Sequence, residues 1–181
     1  MLPVVKKLNG SDLMSIDNLG LKSITLSKDS NHRDNAVYHH SLNRIFVSPK
    51  YKDNLFILDH ELGHFIDYTK DIHSNPDLQE TYYNELDNFI KNASIIEFNQ
   101  MSYFTSLSEN KKLGGLSEMI AEVNAINNSS NTEPLISARG EFLQVYFPKT
   151  FAKISKDLNE AKLSKNPLPN EYLDNGEIIK H

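Results

Sequence analysis

Between residues 55 and 70 the apolar positions recur with a helical period. Leu55, Leu58, Leu62, Phe65 and Ile66 gather on one side of a helix turning 100° per residue. His60, His64 and Asp67 fall within about 60° of one another on the other side. Asp53 or Asn54 supplies the N-cap, and the helix is expected to run to about Lys70. Upstream the pattern changes to a period of two. A short strand is expected at 22–27, and 36–48 reads as a hairpin joined around Ser41, Leu42 and Asn43 and stopped by Pro49. Downstream the helical period returns. Ser74 or Asn75 caps, and Pro76 opens, a helix reaching the low nineties. A loop is expected over 99–115, punctuated by Gly114 and Gly115, and Ser117 is expected to cap a helix over 118–127. Two further helices are expected at 134–146 and 148–162, the second opened by Pro148. From Ser164 onward the chain is polar and proline-containing, and reads as an extended or flexible tail. The pattern predicts an α+β fold: one domain over 1–163, with a small mixed sheet in its N-terminal third and a mainly helical C-terminal part, then a tail over 164–181.

Composition narrows the chemistry more than the fold. The 181 residues suffice for one domain with a real core. A net charge of −5 leaves no basic footprint for nucleic acid. No apolar run approaches the roughly 20 residues of a bilayer span, so no membrane span is expected. The apolar patch at the start is too short for the core of a signal peptide. Cysteine is absent, which removes disulfides, thiolate ligands and a thiol nucleophile. A metal bound here is held by nitrogen and oxygen.

The polar face of the 55–70 helix then takes on meaning. His60-Glu61-Leu62-Gly63-His64 is an HExxH pattern. Histidines at i and i+4 can reach one Zn²⁺ at about 2.0–2.1 Å per nitrogen. Glu61, rotated to the flank, would act on a metal-activated water as general base and pass the proton to the leaving amine. Gly63 inside the helix costs about 0.8–1.0 kcal/mol relative to alanine, which makes sense if another element approaches there. Asp67, one turn past His64, is placed to orient an imidazole from behind the ligands.

A catalytic zinc needs a third protein ligand. His73 reads as a surface histidine and His181 is terminal. The stretch 114–127 is the better source, because Glu118 and Glu122 share one face with Ala121 and Ala125, while Met119, Ile120 and Val123 turn to the core. Small alanines let this helix approach the Gly63 side of the first. We assign Glu118 as the ligand and Glu122 as the acceptor of an imidazole proton; the reverse assignment uses the same pair.

With these residues in place, the chain resembles the glutamate-zincin metallopeptidases that include the anthrax lethal factor catalytic domain and the clostridial Pro-Pro endopeptidases. HELGHFID (60–67) is similar to the metal helix of that family, and SEMIAE (117–122) to its glutamate helix, with Glu118 at the ligand position. FPKTFAKISKDL (147–158) is similar to its closing helix. The resemblance implies a zincin-like fold and a secreted, monomeric zinc endopeptidase acting on a protein or peptide. Its substrate would lie along an edge strand within 36–48, over the active-site helix. Two positions depart from the family. Met119 and Ile120 replace paired phenylalanines, and Lys111 stands where the family has an oxyanion-stabilising tyrosine. Tyr103, Lys111 or Lys112 could supply that function, and Tyr103 is taken as the catalytic candidate. The departures also support an alternative: a zincin-scaffold binding or regulatory module with weak catalysis. Against it, a pure binding module has no chemical need for Glu61.

Overall fold

The computed structural model describes residues 19–26, 35–105, 114–129 and 134–163, with side chains left out at 134–137. Among the described residues three strands, β1 (Ser23–Leu26), β2 (Ala36–His39) and β3 (Arg44–Val47), come before six α-helices. The helices are α1 (Leu55–Lys70), α2 (Pro76–Asn92), α3 (Ile95–Met101), α4 (Gly114–Asn128), α5 (Pro134–Tyr146) and α6 (Pro148–Leu163). The fold is thus α+β, with a small mixed sheet near the N-terminal end and helices after it. No helix among the described residues is long and apolar enough to cross a membrane.

The sheet order is β1-β3-β2, with β1 parallel and β2 antiparallel to β3. Asn43 turns the hairpin with a left-handed backbone, φ 49°. It holds the corner by donating to Gly20 O at 2.7 Å and accepting from the Tyr38 hydroxyl at 3.2 Å. Among the described residues β2 is an edge strand. Ser48 N donates to Asn35 O, and antiparallel alternation then makes 37/46 and 39/44 the hydrogen-bonded pairs. The main-chain groups of Ala36 and Tyr38 therefore face away from β3.

α1 is the axis of the molecule. The Asn54 side chain accepts from Ile57 N and starts it, and Asp71, with φ 54°, ends it. Leu58, Leu62, Phe65 and Ile66 are buried, against Ile45 and Val47 of β3 and the apolar face of α4, where Met119, Ile120 and Val123 are fully covered. Gly63 explains how closely α4 lies. A Cβ there would stand 2.6 Å from Ala121 Cα and 3.0 Å from Asn124 Cβ. Asn124 completes the junction by donating to Asp59 O at 2.6 Å. The glycine expected to admit a neighbour does so. Behind this pair, Leu78, Tyr82, Leu86 and Phe89 of α2 and Ile154 and Leu158 of α6 fill the rest of the core. Glu85 on α2 accepts from the Lys149 and Thr150 amides and so caps α6.

Two expectations for 99–115 need correction. The start of that stretch lies in α3, opened by a capping box in which Ser94 accepts from Glu97 N and Glu97 accepts from Ser94 N. Its end lies in α4, which begins at Gly114, so Ser117 sits inside the helix and is not its cap. Gly115 is used for close approach: a Cβ there would stand 2.4 Å from Phe104 O and 2.6 Å from the Tyr82 hydroxyl. The Tyr82 hydroxyl in turn donates to Phe104 O at 2.7 Å. This pins the 102–105 turn against α2 and α4. Lys111, Lys112, His181 and the expected 164–181 tail lie outside the described residues.

Candidate metal centre

His60 and His64 project from α1 toward α4. Their rings stand edge to face with centroids 4.9 Å apart. Glu118 meets them from α4, its Oε2 lying 3.3 Å from His60 Nε2 and 3.3 Å from His64 Nε2. One ligand-type atom from each of the three residues lies within 4.8 Å of the others, so this group could hold a metal ion. The distances can be tested against a real ion. With metal–ligand bonds near 2.0–2.2 Å and tetrahedral angles, neighbouring ligand atoms are about 3.3–3.5 Å apart. Both contacts of Glu118 match that edge. Glu118 Oε2 is also buried without a hydrogen-bond partner. A buried carboxylate oxygen left so is costly unless a cation satisfies it. The donor set, two imidazoles and one carboxylate, suits zinc.

The surrounding groups favour Nε2 as the inward atom. His60 Nδ1 lies 3.2 Å from Glu122 Oε2, and Glu122 also accepts from Arg139 on α5 at 3.0 Å. Glu122 therefore backs His60 while Glu118 faces both Nε2 atoms. Burial alone would lower the His60 pKa, but Glu118 and Glu122 outweigh it and raise it to about 9. Burial likewise pushes Glu118 up, and the two imidazoles overcome it and hold this carboxyl well below the usual range.

Asp67 is nearly inaccessible, and its partners differ from expectation. Its Oδ1 accepts from the His73 amide at 2.8 Å and lies 3.0 Å from His73 Nδ1; its Oδ2 accepts from Ser117 Oγ at 2.8 Å. The imidazole it contacts directly is that of His73, and it reaches His64 only through Ser117, whose Oγ is 3.4 Å from His64 Nδ1. The left-handed turn at Asp71 brings His73 back over the end of α1. His73 is consequently a half-buried cleft residue and not a free surface histidine.

Glu61 is buried, which raises its pKa, and its Oε2 accepts from Tyr38 N at 2.6 Å. Tyr103, from the pinned turn, is half exposed and leans over the centre. Its ring is 6.4 Å from that of His60, and its hydroxyl engages Glu118. Burial, followed by Glu118, raises its pKa, so the hydroxyl stays protonated at neutral pH. All these groups line one cleft of about 1150 Å³, walled by β2 on one side and reaching Arg139 on the other. His40 and Tyr68 also line it, with rings 5.1 Å apart.

Sequence reasoning missed Ser117, His73 and Arg139 as parts of the centre. The place of Ser117, directly before the proposed ligand on the same helix, was a usable signal. Nothing local to Arg139 points toward Glu122. In comparisons with protein-family models, curated proteins and solved structures, the chain matches none.

Proposed function

We propose that the chain is a zinc-dependent endopeptidase of zincin-like fold, with His60, His64 and Glu118 as metal ligands and Glu61 as general base. The observation that carries this reading is Glu118 Oε2, buried without a hydrogen-bond partner and 3.3 Å from each of two Nε2 atoms. Zinc in such a site supplies Lewis-acid polarisation of a peptide carbonyl and lowers the pKa of a water to about 7.

The side chains account for the remaining steps. Glu61, its basicity raised by burial, takes a proton from the attacking water as the oxygen–carbon bond forms. It returns that proton to the amide nitrogen as the carbon–nitrogen bond breaks. The Tyr38 amide holds one Glu61 oxygen in place through both steps. The protonated Tyr103 hydroxyl, beside Glu118, is the donor for the developing oxyanion. An extended substrate lies along β2, where Ala36 and the Tyr38 carbonyl present main-chain groups to the cleft. Secretion and a monomeric state belong to the same proposal.

The test pairs metal content with cleavage. Purified wild type and Glu61→Ala are each expected to bind one zinc, and only wild type is expected to cut a mixed peptide library read by mass spectrometry. Zinc in both without cleavage would favour the binding-module reading. No stoichiometric zinc in either would refute the metal site.

A further inference from the structure

We propose that Ser117 is a positioning residue that fixes which nitrogen of His64 carries the proton, through a hydrogen-bond relay running from His64 Nδ1 to Ser117, Asp67 and His73. The inference rests on the metal-site reading for its consequence, though not for its geometry.

The direction of each bond follows from what each group can do. Asp67 is almost fully buried, and as a carboxylate it only accepts. One of its oxygens is taken by the His73 amide and faces His73 Nδ1. The other takes the Ser117 hydroxyl hydrogen at 2.8 Å. Ser117 has no second hydrogen, so toward His64 Nδ1, 3.4 Å away, its oxygen can only accept. The His64 proton is thereby directed to Nδ1, and Nε2 is left with its lone pair toward Glu118. Glu118 Oε2 lies 3.3 Å from that nitrogen without a hydrogen-bond partner in the structure, and it competes with Ser117 for the proton wherever no cation lies between them. Glu122 does the corresponding work for His60 directly. The two imidazoles are thus oriented by different means, one by a carboxylate and one by a hydroxyl that a buried carboxylate polarises.

The relay has a polarity that a single substitution reverses. In Asp67→Asn, the His73 amide still requires an acceptor, so the new carbonyl oxygen stays on that side and the NH₂ turns to Ser117. Ser117 then accepts from Asn and spends its own hydrogen on His64 Nδ1. The His64 proton moves to Nε2, the atom facing Glu118. A residue that only fastened α4 to α1 would show no such inversion, because the Ser117–Asn bond is kept.

The experiment uses the full chain with two readouts. Long-range ¹H–¹⁵N NMR of the neutral His64 ring reads the tautomer in metal-free protein carrying Glu118→Ala, which removes the carboxylate competing for the Nε2 proton, and chelator competition with Glu118 in place reads zinc affinity. In the Glu118→Ala background the native relay is expected to carry the proton on Nδ1, and added Asp67→Asn to move it to Nε2. Ser117→Ala is expected to lose the preference, and Ser117→Thr, which keeps the hydroxyl, to retain it. Zinc affinity should fall by about 10- to 100-fold in Ser117→Ala and Asp67→Asn, the usual effect of removing a partner behind a ligand. The expected tautomers, beside a wild type that takes up no zinc, would uphold the relay and defeat the metal reading. Unchanged tautomers, with zinc affinities within twofold of wild type, would overturn the relay.

Discussion

Gly63 of α1 and Ala121 of α4 meet backbone to backbone: a Cβ on Gly63 would stand 2.6 Å from Ala121 Cα. That contact sets the distance between the helix carrying both histidines and the helix carrying Glu118. In Gly63→Ala, intrinsic helix propensity gains about 0.8–1.0 kcal/mol, but the obstacle is backbone and cannot swing aside. Overpacking of this kind costs about 1–3 kcal/mol. The expected net result is a modest fall in Tm, about 2–4 °C per kcal/mol for a chain of this size. Zinc affinity should fall further than stability, because the helices part at the proposed ligands. Calorimetry and chelator competition on the same variant check both, and unchanged affinity would show that the spacing is not critical.

Glu61→Gln separates the proposed base from the proposed ligands. The amide keeps nearly the same shape and can still accept from the Tyr38 amide, which Glu61 engages at 2.6 Å. Cleavage is expected to fall by about 10²–10⁴, the usual worth of a general base, while zinc content stays at the wild-type level. Single-turnover kinetics alongside metal analysis provide the check.

Tyr103→Phe removes the hydroxyl and keeps the ring beside His60. A lost oxyanion donor costs about 10²–10³ in kcat, and KM should move little because the ring still fills its place. Bound zinc should not change. An undiminished kcat would transfer the oxyanion role to another group.

The His73 pKa is raised, chiefly by its hydrogen bond to Asp67 and against the opposing pull of burial. A raised folded-state pKa means that the pairing contributes stability in full below the unfolded value near 6.5. That contribution is lost as pH rises through the higher folded value. Solvent screens a ring this exposed, so the effect is about 1 kcal/mol or less. The stability difference between wild type and His73→Gln in urea should be largest below about pH 6 and shrink toward alkaline pH. A difference that is flat with pH would mean that Asp67 does not favour the charged ring.

Much of this architecture was legible in the sequence, for identifiable reasons. α1 is marked at its start and along its face, so its buried side and the co-location of His60 and His64 follow from periodicity and the N-cap. Gly63 and Ala121 together foretold a close helix crossing, because a glycine in a helix interior needs such a reason. α3 was missed although Ser94 and Glu97 carry its start signal, since its seven residues are too few to show a period. Ser117 was misplaced because a serine before an apolar run has the form of a cap, and only the tertiary position of Asp67 reveals its use. Periodicity reports which side of one helix is polar. It does not report that a left-handed Asp71 folds His73 back onto Asp67, or that α5 brings Arg139 to Glu122.

The bond between Glu61 and the Tyr38 amide has a further consequence, for solubility. An open sheet edge invites a strand from another copy, and proteins guard such edges with inward charges and other devices. Here the guard is the proposed catalytic carboxylate, seated on a main-chain donor that an intruding strand would need. An incoming chain must pair in a register that leaves this donor alone or displace a buried acid from it. By that logic, removing the acid altogether, as in Glu61→Ala, exposes the edge as well as disarming the site, and the variant should self-associate at concentrations where the wild type stays dispersed.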